Sequence, residues 1–192
     1  MNYLAHALLS PEDPQILMGN LWGDILKPKD YSLLTPGVNK GIVLHRLIDA
    51  FTDHHAGVDE INKLLRPYQG KYTPVVSDVL MDYMLSKYWK AFHPKSLDNF
   101  CDKKYKVVTK HLKIIPERLH PRIHRMIGHR WLESCKDETR MEQTFLMLSR
   151  RASFQNKIPE AMVPYQLYTR EMDKIFLSFF DELRLYISTL KM

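Results

Sequence analysis

The stretch Gly41-Ile-Val-Leu-His45-Arg46-Leu-Ile-Asp49-Ala-Phe-Thr52-Asp53-His54-His55 has the period of a helix. Leu44, Leu47, Ile48 and Phe51 lie roughly opposite a stripe of His45, Asp49 and Asp53. Residues four apart on a helix are neighbours, so the imidazole and the two carboxylates project together. A hard or borderline divalent cation that takes nitrogen and oxygen ligands needs such a set. The solvated face of an ordinary amphipathic helix has the same pattern, so context elsewhere in the chain must decide between them.

Working outward, helical periodicity prevails. Only 7 glycines and 11 prolines punctuate the 192 residues, and strand-like alternation between turn residues is scarce. The expected fold is all-α, one compact multi-helix domain over residues 1–192, since typical domains run to about 100–200 residues. Asn2 caps a first helix to about Leu9, stopped by Ser10-Pro11. Asp13-Pro14 pairs a cap with a proline at the first helical position and opens a helix to about Leu26. Lys27 to Pro36 reads as a loop, and Pro36-Gly37 precedes the helix that carries His45. A helix after Gly57 ends near Pro67, and Thr73-Pro74 caps another to about Phe92. Pro94, Pro116 and Pro121 shorten the next helices, while Asp137 to Arg150 and Pro159 to the C-terminus read as longer ones.

Hydrophobic residues make up 45% of the chain and charged residues 26%, as in soluble globular proteins. No apolar run approaches the roughly 20 residues that span a bilayer. The opening Met-Asn-Tyr-Leu-Ala-His lacks the basic and apolar regions of a secretory signal, so the expected location is cytoplasmic, without membrane insertion. Cys101 and Cys135 have no metal or redox spacing and read as reduced structural thiols. A net charge of +6 favours an anionic partner without naming it.

Carboxylates recur on other helices. In Ser77-Asp78-Val-Leu-Met-Asp82-Tyr-Met-Leu85-Ser-Lys-Tyr-Trp89, Asp78 and Asp82 share a face with Val75, Leu85 and Trp89. Ionised carboxylates on an apolar face need a compensating cation, arginine or helix N-terminus. Asp24 closes Gly19-Asn20-Leu-Trp-Gly23-Asp24, whose two glycines cost about 1 kcal/mol each inside a helix and therefore point to close packing. His6 lies among Leu4, Leu8 and Leu9, as a core histidine or a ligand would. Together His6, Asp24, His45, Asp49, Asp53, Asp78 and Asp82 form an oxygen-rich set with imidazoles, suited to Mn²⁺, Mg²⁺ or Fe²⁺ more than to a thiolate zinc site. There is no G-x-S-x-G elbow, Walker loop or G-x-G-x-x-G turn.

With these residues assembled, the chain resembles the acyl carrier protein phosphodiesterases, a divergent branch of the HD-type metal phosphohydrolases. The similarity is carried by MNYLAH, GNLWGD, GIVLHRLIDAFTDHH and SDVLMDYMLSKYW, and more weakly by LSRRASF around Arg150 and Arg151. The resemblance implies an HD-like helical fold and metal-dependent hydrolysis of the phosphodiester between 4′-phosphopantetheine and a serine of holo acyl carrier protein. It implies that His6, Asp24, His45, Asp49 and Asp82 belong to or border a metal centre, Mn²⁺ first among the candidates. Asp53 and Asp78 stand nearby, and an outer carboxylate of the group accepts the proton from water. Arg46, or Arg150 and Arg151, would hold phosphate oxygens. The chain departs from the family pattern at Tyr83, where histidine is frequent, and at Ala152, where proline is.

Between Lys103 and Arg130 come Lys104, Lys106, Lys110, Lys113, Arg118, Arg122 and Arg125, with Glu117 among them. Such a block, Arg118 and Arg122 included, steers in an acidic partner such as an acyl carrier protein. Two other readings remain. One is an HD-like phosphohydrolase acting on a nucleotide or small phosphate ester. The other, less favoured, is a basic helical module that binds nucleic acid without catalysis.

Overall fold

The computed structural model describes residues 2–190. Among them there is no β-strand, and the fold is all-α. Asn2 accepts from the Tyr3 N–H at the start of α1 (Tyr3–Leu9). Asp13 accepts from the Gln15 and Ile16 N–H groups and, with Pro14 next, opens α2 (Pro14–Trp22). This helix ends at Trp22, before the expected Leu26, although Ile25 and Leu26 N–H still bond Trp22 O. Residues Pro28–Leu33 form a 3₁₀ turn within what reads as a loop.

Thr35 caps α3 (Pro36–Asp53), the helix of the opening stretch. It is followed by α4 (Ala56–Gln69), which runs two residues past Pro67, and by α5 (Thr73–Lys87). Thr73 does not cap α5, since its hydroxyl donates to Gly70 O instead. The expected single helix to Phe92 is interrupted at Tyr88, after which α6 (Trp89–Phe92) turns away. Then come α7 (Leu97–Lys110), α8 (His120–Gly128) and α9 (Glu138–Arg151). The C-terminal segment is divided at Tyr168 into α10 (Met162–Leu167) and α11 (Thr169–Thr189). Pro159 and Pro164 lack an N–H to extend a helix and fit the first turns of short ones.

The α2–α3 pair has the most extensive interface of the fold. A Cβ on Gly19 would lie 2.0 Å from Val38 O, and one on Gly41 would lie 2.2 Å from Ile16 O. The two backbones therefore touch, and only glycine fits at the crossing. Around it pack the fully buried Leu4, Met18, Leu21, Trp22, Leu44 and Ile48. The apolar face of α11, with Phe176, Phe179 and Phe180 buried, closes the other side against α3, α4 and α5. Each such side chain removed from water contributes about 1.5–3 kcal/mol. Cys101 and Cys135 are buried free thiols. No described helix is long and apolar enough to cross a membrane.

Candidate metal and phosphate site

The glycine crossing sets α2 against α3, and α1 lies across α2. His6 thereby arrives from α1, His45 and Asp49 from α3, and Asp24 from the turn after α2. His6 is 2% exposed and His45 6%, so the stripe is buried at His45, half-buried at Asp49 and solvated only at Asp53. His45 Nε2 lies 3.1 Å from Asp49 Oδ2 and 3.0 Å from Asp24 Oδ1. His6 Nε2 lies 3.2 Å from Asp49 Oδ1. One ligand atom each from His6, His45 and Asp49 falls within 4.8 Å of the others.

Asn20, fully buried in α2, decides the protonation of both rings. Its Nδ2 donates to the His6 carbonyl and to Ser10 Oγ, which leaves Oδ1 as the acceptor facing His6 Nδ1 at 2.8 Å. His6 Nδ1 must therefore carry its proton. The Asn20 carbonyl faces His45 Nδ1, also at 2.8 Å, and this nitrogen must donate as well. In the neutral rings both Nε2 lone pairs then point at carboxylate oxygens. Such an arrangement is repulsive until a cation, either a proton or a metal, stands between them. His6 Nε2 is a buried atom with no aligned hydrogen-bond partner. Metal-bound histidines characteristically donate the other ring N–H to a carbonyl or carboxylate, as both rings do here.

Burial pushes the His6 imidazole below its ordinary value. Burial opposes the charge of His45 too, but the hydrogen bond to Asp24 and the charges of Asp49 and Asp24 outweigh it and raise its pKa. The same hydrogen bond holds the Asp24 carboxyl below the usual range. The donor set is two nitrogens and carboxylate oxygens on a pre-oriented frame, which fits a divalent cation.

A family model described as acyl carrier protein phosphodiesterase matches residues 1–183. The chain belongs to the acyl carrier protein phosphodiesterase family. The family member of that name from Serratia proteamaculans (strain 568) is 30% identical over 69% of this chain and 67% of its own. Its namesake in Yersinia enterocolitica is 31% identical over 69% of each. The protein of the same name from Yersinia pestis is 24% identical over 94% of each. No solved structure matches the chain.

The remaining residues expected at this family site lie at graded distances from it. Asp53 is exposed at the end of α3, one turn beyond Asp49. Asp78 on α5 is half-buried, and burial, with Asp49 and Asp53 within electrostatic range, raises its pKa. Asp82 stands apart from the ligand-distance group. Its carboxylate accepts from the Leu4 N–H (2.9 Å) and the Ala5 N–H (3.3 Å) at the N-terminus of α1. A helix N-terminus is thus the partner that this buried carboxylate requires. Burial still pushes it up to about 7.

The arginines divide similarly. Arg46 donates to the Tyr31 hydroxyl and lies over that ring, and Arg118 is paired with the buried Asp30. Arg122 and Arg151 are exposed and, like Asp24, lie within electrostatic range of Tyr3. Arg150 is exposed in the last turn of α9. Within the basic block, Lys103 pairs with Glu12 and Arg130 with Asp102 and Glu133, and Lys104 is buried. Lys106, Lys110, Lys113 and Arg125 are exposed and make no ion pair among the described residues.

Sequence reasoning missed Asn20, which orients both histidines. The available signal was an amide between two glycines inside an otherwise apolar helix.

Proposed function

We propose that this chain is a cytoplasmic, metal-dependent phosphodiesterase. It hydrolyses the bond between 4′-phosphopantetheine and a serine of holo acyl carrier protein, releasing the apo carrier. The family membership supports the substrate. The observation that carries the metal is the convergence of the two Nε2 lone pairs of His6 and His45 on Asp49, with both Nδ1 protons pinned by Asn20. On this reading the chain is a divergent branch of the HD-type metal phosphohydrolases.

His6, His45 and Asp49 hold the cation, Mn²⁺ in first place and Mg²⁺ or Fe²⁺ as replacements. Such an ion supplies Lewis acidity, polarising a phosphoryl oxygen and lowering the pKa of water. Asp24, exposed at the rim and bonded to His45, accepts the proton from the attacking water. The water oxygen bonds phosphorus, the bond from phosphorus to the serine oxygen breaks, and the serine oxygen takes up a proton. Asp53 and Asp78 add negative charge beside Asp49, which favours retention of a cation. The carrier, being acidic, approaches over the free cations of α7 and α8.

Purified protein is incubated with holo acyl carrier protein and Mn²⁺, and the intact mass of the carrier is followed. The expected result is metal-dependent loss of the phosphopantetheine mass, absent with Asp24→Ala and Asp49→Ala. No loss with Mn²⁺, Mg²⁺ or Fe²⁺ overturns the carrier reading, and turnover of small phosphate esters alone would assign the site to those instead.

A further inference from the structure

Lys104 lines a cleft where α7 packs on the start of α2, and it is 4% exposed. Its Nζ lies 5.2 Å from the centre of the Phe100 ring and has no hydrogen bond or ion pair among the described residues. The carboxylates that line the same cleft are engaged elsewhere. Glu12 accepts from Lys103 at 2.6 Å, and Asp13 from the Gln15 and Ile16 N–H groups. An ammonium buried without an acceptor is costly, so the site favours the neutral amine. Burial lowers the Lys104 pKa more than the charge of Glu12 raises it, and Lys103 lowers it further. A neutral amine is a nucleophile.

The apolar walls of the cleft are Pro11, Pro14, Leu17 and Val107, and its volume is about 20 Å³. That is room for one molecule of about the size of water. Carbon dioxide, neutral and linear, enters such a space, whereas an acyl thioester or acyl phosphate does not. We infer that Lys104 is a carbon dioxide site, at which the amine forms a carbamate held by the Lys103 ammonium. The nitrogen lone pair bonds the carbon, one C=O electron pair moves onto oxygen, and a proton leaves the nitrogen for water. Lys103 has three donors and gives one to Glu12, so it can also face the new anion. The carbamate puts a negative charge on the helix that carries Lys106 and Lys110. It lies outside the His6–His45–Asp49 cluster and assumes nothing about the phosphodiester reaction.

The full chain is equilibrated with isotope-labelled bicarbonate, and carbamates are trapped by ethylation with triethyloxonium ion and located by peptide mass. The label is expected on Lys104, with Lys106 and Lys110 at background. Lys104→Met, which keeps an apolar stem, should lose the carbamate resonance from the carbon NMR spectrum. Lys103→Gln should weaken carbon dioxide binding about 10-fold, as loss of one hydrogen bond to a charged group does. No trapped carbamate on Lys104 of the wild type overturns the inference, whether or not Lys104→Met folds. Label spread evenly over the exposed lysines overturns it too, as does unchanged binding in Lys103→Gln.

Discussion

His6 and His45 stack with ring centroids 4.3 Å apart and 27° between planes, and both Nδ1 atoms bond Asn20, one to its side chain and one to its carbonyl. Two imidazoles from different helices are therefore aimed by one residue, His6 by its side-chain amide and His45 by its backbone carbonyl.

Asn20→Ala removes the acceptor for His6 Nδ1, leaving a buried ring N–H without a partner, and takes one donor each from the His6 carbonyl and Ser10 Oγ, which stay bonded to each other. Divalent-ion affinity should fall about 10–100-fold, as it does when other outer-shell partners of ligating histidines are lost. Stability should fall by about 1–3 kcal/mol. Calorimetric Mn²⁺ titration and urea denaturation check the two values. An unchanged affinity would show that the His6 ring holds its orientation without the Asn20 side chain.

A Cβ on Gly23 would lie 2.5 Å from His45 Cγ and Cδ2. Gly23→Ala should give a folded protein whose His45 is displaced, with weaker metal binding and little carrier hydrolysis. Gly41→Ala drives its Cβ into backbone, where nothing can yield, and should destabilise the whole fold. Circular dichroism melts separate the two variants, and equal melting temperatures would contradict the backbone contact.

Asp82 titrates at about 7 in the folded chain against an ordinary 3.8. Its pKa is raised, so the folded state binds more protons than the unfolded state between those values, and stability falls as pH rises. The loss should begin near pH 4 and be complete above about pH 7, with an upper bound of about 4 kcal/mol. Asp82→Asn, neutral throughout, should flatten this part of the curve, although its amide accepts only one of the two N–H bonds. Denaturation midpoints of both proteins between pH 5 and 8 provide the comparison; parallel curves would refute the assignment.

Lys106→Glu, Lys110→Glu and Lys113→Glu together should lower kcat/KM for holo acyl carrier protein at low salt, with the deficit shrinking as ionic strength rises. Turnover of a small phosphate ester should not change. Arg118→Glu behaves differently because it leaves the buried Asp30 facing a like charge, and it should lower the melting temperature. A salt-independent defect in the triple variant would argue against steering.

The sequence by itself determined the helices and most of their starts. The Asn2 and Asp13 boundaries follow from local capping chemistry, which needs no partner beyond the next turn, whereas Pro36-Gly37, read as preceding a helix, lies inside α3 behind the Thr35 cap. His45 and Asp49 were legible for the same reason, since four-residue spacing on one helix is a local relation. Thr73 was misleading because Gly70 O, three residues back, took its hydroxyl.

Tertiary structure alone decided which distant groups meet. His6 stands in one helix and Asp49 in another, and only the glycine contact between α2 and α3, with α1 laid over them, brings Nε2 to the carboxylate. Asp78 and Asp82 are equivalent on a helical wheel. The packing of α1 places Asp82 under two backbone N–H groups and leaves Asp78 on the side of Asp49 and Asp53. The arginines are likewise indistinguishable as residues. Partners remote in the chain, Tyr31 and Asp30, determine that Arg46 and Arg118 are held in place.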